Sequence, residues 1–177
     1  MKGMKRIKRE LAYEGTILKV YRDYMEIKGQ EAKWDFIHNR GGAAVIPVLP
    51  NGDILMVRQY RNALERFTLE LPAGAFDSEK EEGVVCVRRE LEEETGYRAG
   101  QVKWLITIRS MAAFCDEKVE LYVATDLVKT SQHLDAQEEI TVQSYPIEEL
   151  KQMIYEGRLE DAKTVAGLLA YINKNRL

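Results

Sequence analysis

Glu90, Glu93 and Glu94 are the residues of this chain whose types and spacing could do chemistry. In Arg89-Glu90-Leu91-Glu92-Glu93-Glu94 three carboxylates fall at i, i+3 and i+4. On a helix of 3.6 residues per turn those positions share one face. Two carboxylates about 5 Å apart repel by roughly 3 kcal/mol at an effective dielectric near 20, and a divalent cation between them lowers that cost sharply. Hard oxygen donors suit magnesium, with manganese as a substitute. A glutamate run is also what a solvated helix face looks like, where a like-charged pair costs only about 0.2 to 0.5 kcal/mol. Taken alone, the three glutamates leave both readings open.

The elements around them must position the acidic face. Val84, Val87 and Leu91 lie where the same helix can meet a core. Upstream, the β-prone runs Thr16–Tyr21 and Asp23–Ile27 read as strands of a small antiparallel sheet, ended by Lys28-Gly29. Gly41-Gly42 opens the apolar run Ala43–Val48, and Pro50-Asn51-Gly52-Asp53 predicts a hairpin into Ile54–Tyr60. Strands are expected over Val102–Arg109, Val119–Thr125 and Val142–Tyr145, and helices over Ile147–Glu156 and Ala162–Asn173. Mixed strands with separated helices predict an α/β sandwich rather than a regular βαβ chain. A boundary near residues 38 to 42 divides an N-terminal β segment, 1–40, from a larger domain, 41–177.

Composition narrows the class of function. With 177 residues, 45% hydrophobic and 31% charged, the chain can bury a substantial core. No run of 18 or more apolar residues occurs, and Met1-Lys2-Gly3-Met4-Lys5-Arg6 leads into charged sequence, so a cytoplasmic protein with no membrane partner is expected. A net charge of -3 argues against nucleic acid as a partner but suits a small anionic substrate. Cys86 and Cys115 are too few for a zinc site or a disulfide framework, and are read as reduced packing residues.

The segment from Glu81 to Tyr97 resembles the Nudix box, Gly-x5-Glu-x7-Arg-Glu-hydrophobic-x-Glu-Glu-x-Gly-hydrophobic. Glu81, Arg89, Glu90, Leu91, Glu93, Glu94, Gly96 and Tyr97 match every specified position. One departure lies upstream: six residues rather than five separate Gly74 from Glu81. Either the loop Phe76–Lys80 carries an insertion, the favoured reading because Leu71-Pro72-Ala73-Gly74 usually leads into the box, or Ala75 takes the glycine position. The resemblance implies an α/β/α sandwich with a mixed sheet, plus the small N-terminal antiparallel sheet. It also implies hydrolysis of a nucleoside diphosphate linked to another moiety.

Arg58-Gln59-Tyr60-Arg61, Glu70-Leu71-Pro72-Ala73-Gly74, Phe114-Cys115-Asp116-Glu117 and Asp161-Ala162-Lys163-Thr164 extend the resemblance to the ADP-ribose and nucleoside-diphosphosugar pyrophosphatase branch. Carried onto these residues, the branch makes the Ala73 carbonyl, Glu90 and Glu94 ligands of Mg2+, with Mn2+ a possible substitute and Glu93 bound directly or through water. Arg89 orients the glutamates, alone or as a buried salt bridge. Glu81 gives catalytic support or caps the helix start. Arg61 resembles the arginine that meets the diphosphate, its other reading being a solvent-facing strand end, and Glu70 is grouped with it in substrate binding. Trp34 stacks on the base or packs a core or dimer contact. Glu138, with Glu139 next in line, resembles the base carried by the loop over residues 132 to 139, although Ala136 replaces one usual carboxylate. Ser110-Met111-Ala112-Ala113 also departs from the usual Ser-Pro-Gly turn. The implied reaction gives a nucleoside monophosphate and a sugar phosphate from ADP-ribose. GDP-mannose or another nucleotide sugar is the first alternative, and a ligand sensor without turnover the second. A homodimer that exchanges the N-terminal sheet is the implied assembly.

Overall fold

In the computed structural model, residues 3–16 and 18–177 are described. They fall into two compact units, residues 1–41 with 109–118 and residues 42–108 with 119–177. Segment 109–118, which a linear reading leaves in the larger domain, clusters with the first unit.

That first unit holds β1 (Met4–Glu14), β2 (Lys19–Ile27) and β3 (Gln30–His38) in an antiparallel sheet of order β1-β2-β3. Two expectations are corrected here. Strand β1 was not anticipated, because its sequence alternates charge more than hydrophobicity. Arg22 does not separate two strands: β2 runs through it, and Asp23 beside it is buried and receives Arg9 through two hydrogen bonds of 2.6 Å. Ile17, in the first β-prone run, lies outside the described residues. Lys28 and Gly29, with φ of 52° and 80°, form the two-residue turn into β3. Segment 109–118 is tied to β3: Ile37 N donates to Phe114 O at 2.7 Å, and His38 Nδ1 lies 2.8 Å from Asp116 Oδ2.

The second unit contains β4 (Gly42–Pro47), β5 (Ile54–Arg61), β6 (Arg66–Glu70), β7 (Ala73–Ala75), α1 (Gly83–Thr95), β8 (Tyr97–Ile108), β9 (Val119–Lys129), β10 (Ile140–Tyr145), α2 (Ile147–Tyr155) and α3 (Ala162–Asn175). Its four-stranded sheet, β7-β4-β9-β8, is mixed: β4 runs parallel to β9 and antiparallel to β7. Every residue of β4 is buried, and its alternation sorts the layers. Ala43 and Val45 meet Cys86, Val87 and Leu91 of α1, whereas Ala44 and Ile46 meet Leu150 of α2, Leu168 of α3 and Ile54 and Met56 of the second sheet, β10-β5-β6. This is the expected α/β/α arrangement.

The predicted hairpin after β4 is not one. Gly52 N bonds Leu49 O and Leu49 N bonds Asp53 O, so the turn forms, but only the isolated bridge Val48–Ile54 follows it. Strand β4 already has β7 and β9 beside it, so β5 leaves for the other sheet. Among the described residues, no helix is long and apolar enough to cross a membrane.

Strand β4 approaches β7 unusually closely at Gly42, where a Cβ would lie 2.2 Å from the Gly74 carbonyl oxygen. Backbone cannot swing away as a side chain can. Gly42→Ala is therefore expected to destabilise the protein by about 1 to 3 kcal/mol, lowering the melting temperature by roughly 2 to 12 °C in calorimetry. An unchanged melting temperature would show that β4 and β7 separate at little cost.

Candidate active site

Helix α1 starts at Gly83, where a Cβ would stand 2.2 Å from Glu120 Oε2, and ends at Gly96, whose φ of 69° is the left-handed stop that glycine takes without strain. With Cys86, Val87 and Leu91 turned into the core, Glu90 and Glu94 fall on the side facing β7. Glu94 is only 3% exposed and accepts a 2.9 Å hydrogen bond from Ala73 N. Glu90 lies over Gly74, where a Cβ would sit 1.9 Å from its Oε1. That contact requires glycine at 74 and so supports an insertion in the following loop rather than Ala75 in the glycine position. Glu93 is half-exposed.

Arg89 gathers this face. Its Nη1 donates to Glu90 Oε1 at 2.5 Å and to Glu93 Oε2 at 3.3 Å, and its Nη2 to Ala75 O at 3.2 Å and Glu81 Oε1 at 3.5 Å. Glu81 is not the helix cap: Glu82 holds that position, while Glu81 Oε2 accepts from Asp77 N at 2.6 Å and closes the preceding loop. Burial pushes Glu94 up to about 8; the Ala73 N–H opposes this, and the charges of Glu90 and Glu138 add to it. Burial also raises Glu90, against the pull of Arg89 and with the push of Glu93 and Glu138. The exposed loop before β10 thus brings Glu138 within electrostatic reach of both carboxylates. A turn shapes that loop, with Glu138 N donating to Asp135 O at 2.9 Å and Asp135 N to Glu138 Oε2 at 3.1 Å.

Among the described residues no three histidine, cysteine, aspartate or glutamate side chains are grouped as a ready metal cage. Arg89 and the Ala73 N–H engage the carboxylates instead. The donor set nevertheless fits a hard cation: a partly buried and a buried carboxylate whose proton affinity is raised together create a local potential that a positive ion relieves, and Gly74 leaves no side chain above Glu90.

A second ionic cluster adjoins this face. Arg61 donates to Glu70 through Nε at 2.8 Å and Nη2 at 2.6 Å, Thr68 Oγ1 adds a 2.6 Å bond, and Lys163 Nζ completes the set. Glu70, 2% exposed, thus holds Arg61, the residue with which it is grouped, by its guanidinium fork. Both Arg61 and Lys163 are close enough to Glu94 for their charges to interact with it. In the sequence, Lys163 is marked only by its place in Asp161-Ala162-Lys163-Thr164, just inside the start of α3. Trp34, on β3 of the first unit, is 48% exposed and lines a cavity of about 650 Å³ with Val20, Ile37 and Phe114.

A model of the NUDIX domain matches residues 38–168. A methanol dehydrogenase activator from Bacillus methanolicus is 38% identical over 164 residues, covering 91% of this chain and 88% of that protein. An ADP-ribose pyrophosphatase from Bacillus subtilis (strain 168) is 31% identical over 163 residues, covering 90% and 88%. A solved structure of an ADP compounds hydrolase superposes with a TM-score of 0.89 over 99% of this chain and 96% of its own, at 18% identity.

Burial alone would raise Glu70, but the Arg61 hydrogen bond, Lys163 and Thr68 outweigh it and hold the carboxyl at about 2, against an ordinary 4.5. Because the folded value is the lower one, the stabilisation is complete above pH 4.5 and is lost as pH falls toward 2. It amounts to roughly 3 kcal/mol. Urea unfolding measured between pH 6 and about pH 2 should show wild-type stability falling more steeply than that of Glu70→Gln. Parallel profiles would remove the assignment.

Proposed function

Since the chain belongs to the NUDIX family, we propose that it hydrolyses the diphosphate of ADP-ribose or a related nucleotide sugar in the presence of Mg2+, with Mn2+ as a substitute. The products are a nucleoside monophosphate and a sugar phosphate. The observation that carries this reading is the pair Glu90 and Glu94, one carboxylate partly buried and one buried, raised together beside a glycine backbone. Kinship with the Bacillus subtilis ADP-ribose pyrophosphatase supports the choice of substrate.

Glu90, Glu94 and the Ala73 carbonyl would hold the cation, with Glu93 direct or through water. When bound, it neutralises diphosphate charge and makes water more acidic. Arg89 keeps Glu90 and Glu93 oriented, and Glu81 keeps Arg89 in place. The Arg61 fork meets the diphosphate: Glu70 engages its Nε and Nη2, which leaves Nη1 outside that pair. Glu138, on its exposed loop, takes the proton of the attacking water.

The working assembly in this reading is a cytoplasmic homodimer. Strand β1 is a sheet edge with Met4, Ile7, Leu11 and Tyr13 exposed, and an edge of that kind gains from a partner. Trp34 supplies the base platform.

In a panel of ADP-ribose, GDP-mannose and other nucleotide sugars, a phosphatase-coupled assay should show Mg2+-dependent release of both products, fastest with ADP-ribose. Faster turnover of GDP-mannose would transfer the activity to that sugar, and no turnover of any member would leave a binding domain. Glu94→Gln should cut turnover by more than about 10²-fold with the fold intact; near-normal activity in saturating Mg2+ sinks the metal assignment. Trp34→Ala should raise the Michaelis constant more than it lowers turnover, since base stacking is worth about 1 to 3 kcal/mol. An unchanged Michaelis constant would return Trp34 to a packing role.

A further inference from the structure

A helix leaves its last four carbonyls without intrahelical partners, and something must satisfy those that are buried. At the end of α1 the segment after β9 does much of this. Gly96 N takes Glu92 O at 2.9 Å, and the remaining bonds come from the approaching chain: Thr130 N donates to Gly96 O at 2.7 Å, His133 N to Glu93 O at 2.9 Å, and the Gln132 side-chain Nε2 to Glu94 O at 2.6 Å. Gly96 makes room for the approach, since a Cβ there would stand 3.0 Å from Gln132 N.

Gln132 does one thing more. Its Nε2 also reaches Ile140 O at 3.4 Å. Ile140 begins β10 and pairs with Gln59 of β5, so it is fixed in the second sheet. A carboxamide nitrogen carries two hydrogens, one for each carbonyl. A single side chain therefore joins the end of α1 to the start of β10 and closes the neck of the loop from 132 to 140. Within that neck stands Glu138, shaped by its own turn with Asp135.

We propose that Gln132 is a positioning residue for hydrolysis, clamping the neck of this loop to the backbone of Glu94 and so fixing where the loop glutamate stands over Glu90 and Glu94. This rests on the reading of the site as a hydrolase with its base on the loop. The clamp acts on the backbone carbonyl of Glu94, leaving the Glu94 carboxylate to the site. Losing it loosens the loop without removing a charge or a ligand.

Gln132→Leu keeps similar bulk and removes both donors. In the full-length protein it is expected to lower turnover of ADP-ribose about tenfold or more, with the Michaelis constant and the Mg2+ half-saturation within about twofold of wild type. A glutamate-specific protease should cut after Glu138 or Glu139 faster in the variant, a readout independent of activity. If Glu138→Gln is itself impaired, adding Gln132→Leu should cost less than about twofold, because a misplaced base and a missing one are the same loss. An equal cost in both backgrounds, or wild-type turnover and cleavage in Gln132→Leu, overturns the clamp while leaving Glu138 as the base. Wild-type turnover in Glu138→Gln, with Gln132→Leu still slow and readily cleaved, removes Glu138 as the base and retains the clamp.

Discussion

Two carboxylates drawn out of water on one helix face, Glu94 buried and Glu90 partly so, are the constraint to which the second unit is built. Isolated ionised groups of this kind cost several kcal/mol each to bury, and neighbours on one face add their mutual repulsion. Apolar packing holds the helix in place regardless: Cys86, Val87 and Leu91 are fully buried against β4, and the carboxylates have to follow. Arg89 and the Ala73 N–H offset part of the charge. The rest depends on bare backbone. Glu90 occupies the space a side chain at 74 would need, and Gly74 in turn occupies the space a side chain at 42 would need. Two glycines in adjacent strands thus let helix, edge strand and central strand approach within one carboxylate's thickness.

Glu70 and Glu94 show what burial alone does not decide. They are 2% and 3% exposed, yet one carboxyl is held at about 2 and the other pushed up to about 8. The difference lies in the partners. Glu70 is bonded by a bidentate arginine, a lysine and a hydroxyl, whereas Glu94 accepts one backbone N–H and feels the charges of Glu90 and Glu138 against the more distant pull of Lys163. Environments that drive like groups apart are how one fold assigns them different work. Here one carboxylate is saturated and anchors Arg61, and the other retains demand for positive charge.

Helix α1 was legible because its signal is local: apolar and acidic residues separate at a period of 3.6, and the glycine that stops it is in the sequence. Helices α2 and α3 and most strands of the second unit were legible for the same reason. Signals that depend on a distant partner were not. Arg22 looks like a break between strands until Arg9 pairs with Asp23 beside it, and the turn at Asn51-Gly52 looks like a hairpin until β9 is seen occupying the far side of β4. Lys163 and Gln132 give no such signal, because the partners that matter are remote in sequence, Glu70 for one and the carbonyls of Glu94 and Ile140 for the other. The acids and the arginine that orients them, Arg89, could be read from the motif; Lys163 and Gln132 could not.

The extra residue before the box follows from the same geometry. Gly74 cannot shift, because Glu90 lies against it, and Glu81 cannot shift far, because Arg89 and the Asp77 N–H hold its carboxylate. Between these fixed points Phe76 is buried with Val87 and Leu91, while residues 77 to 80 are exposed. Only that exposed stretch can absorb one more residue without moving an acid, and an exposed loop lengthens at little entropic cost. An added residue within 77 to 80 would leave the spacing from Glu81 through Glu94 unchanged.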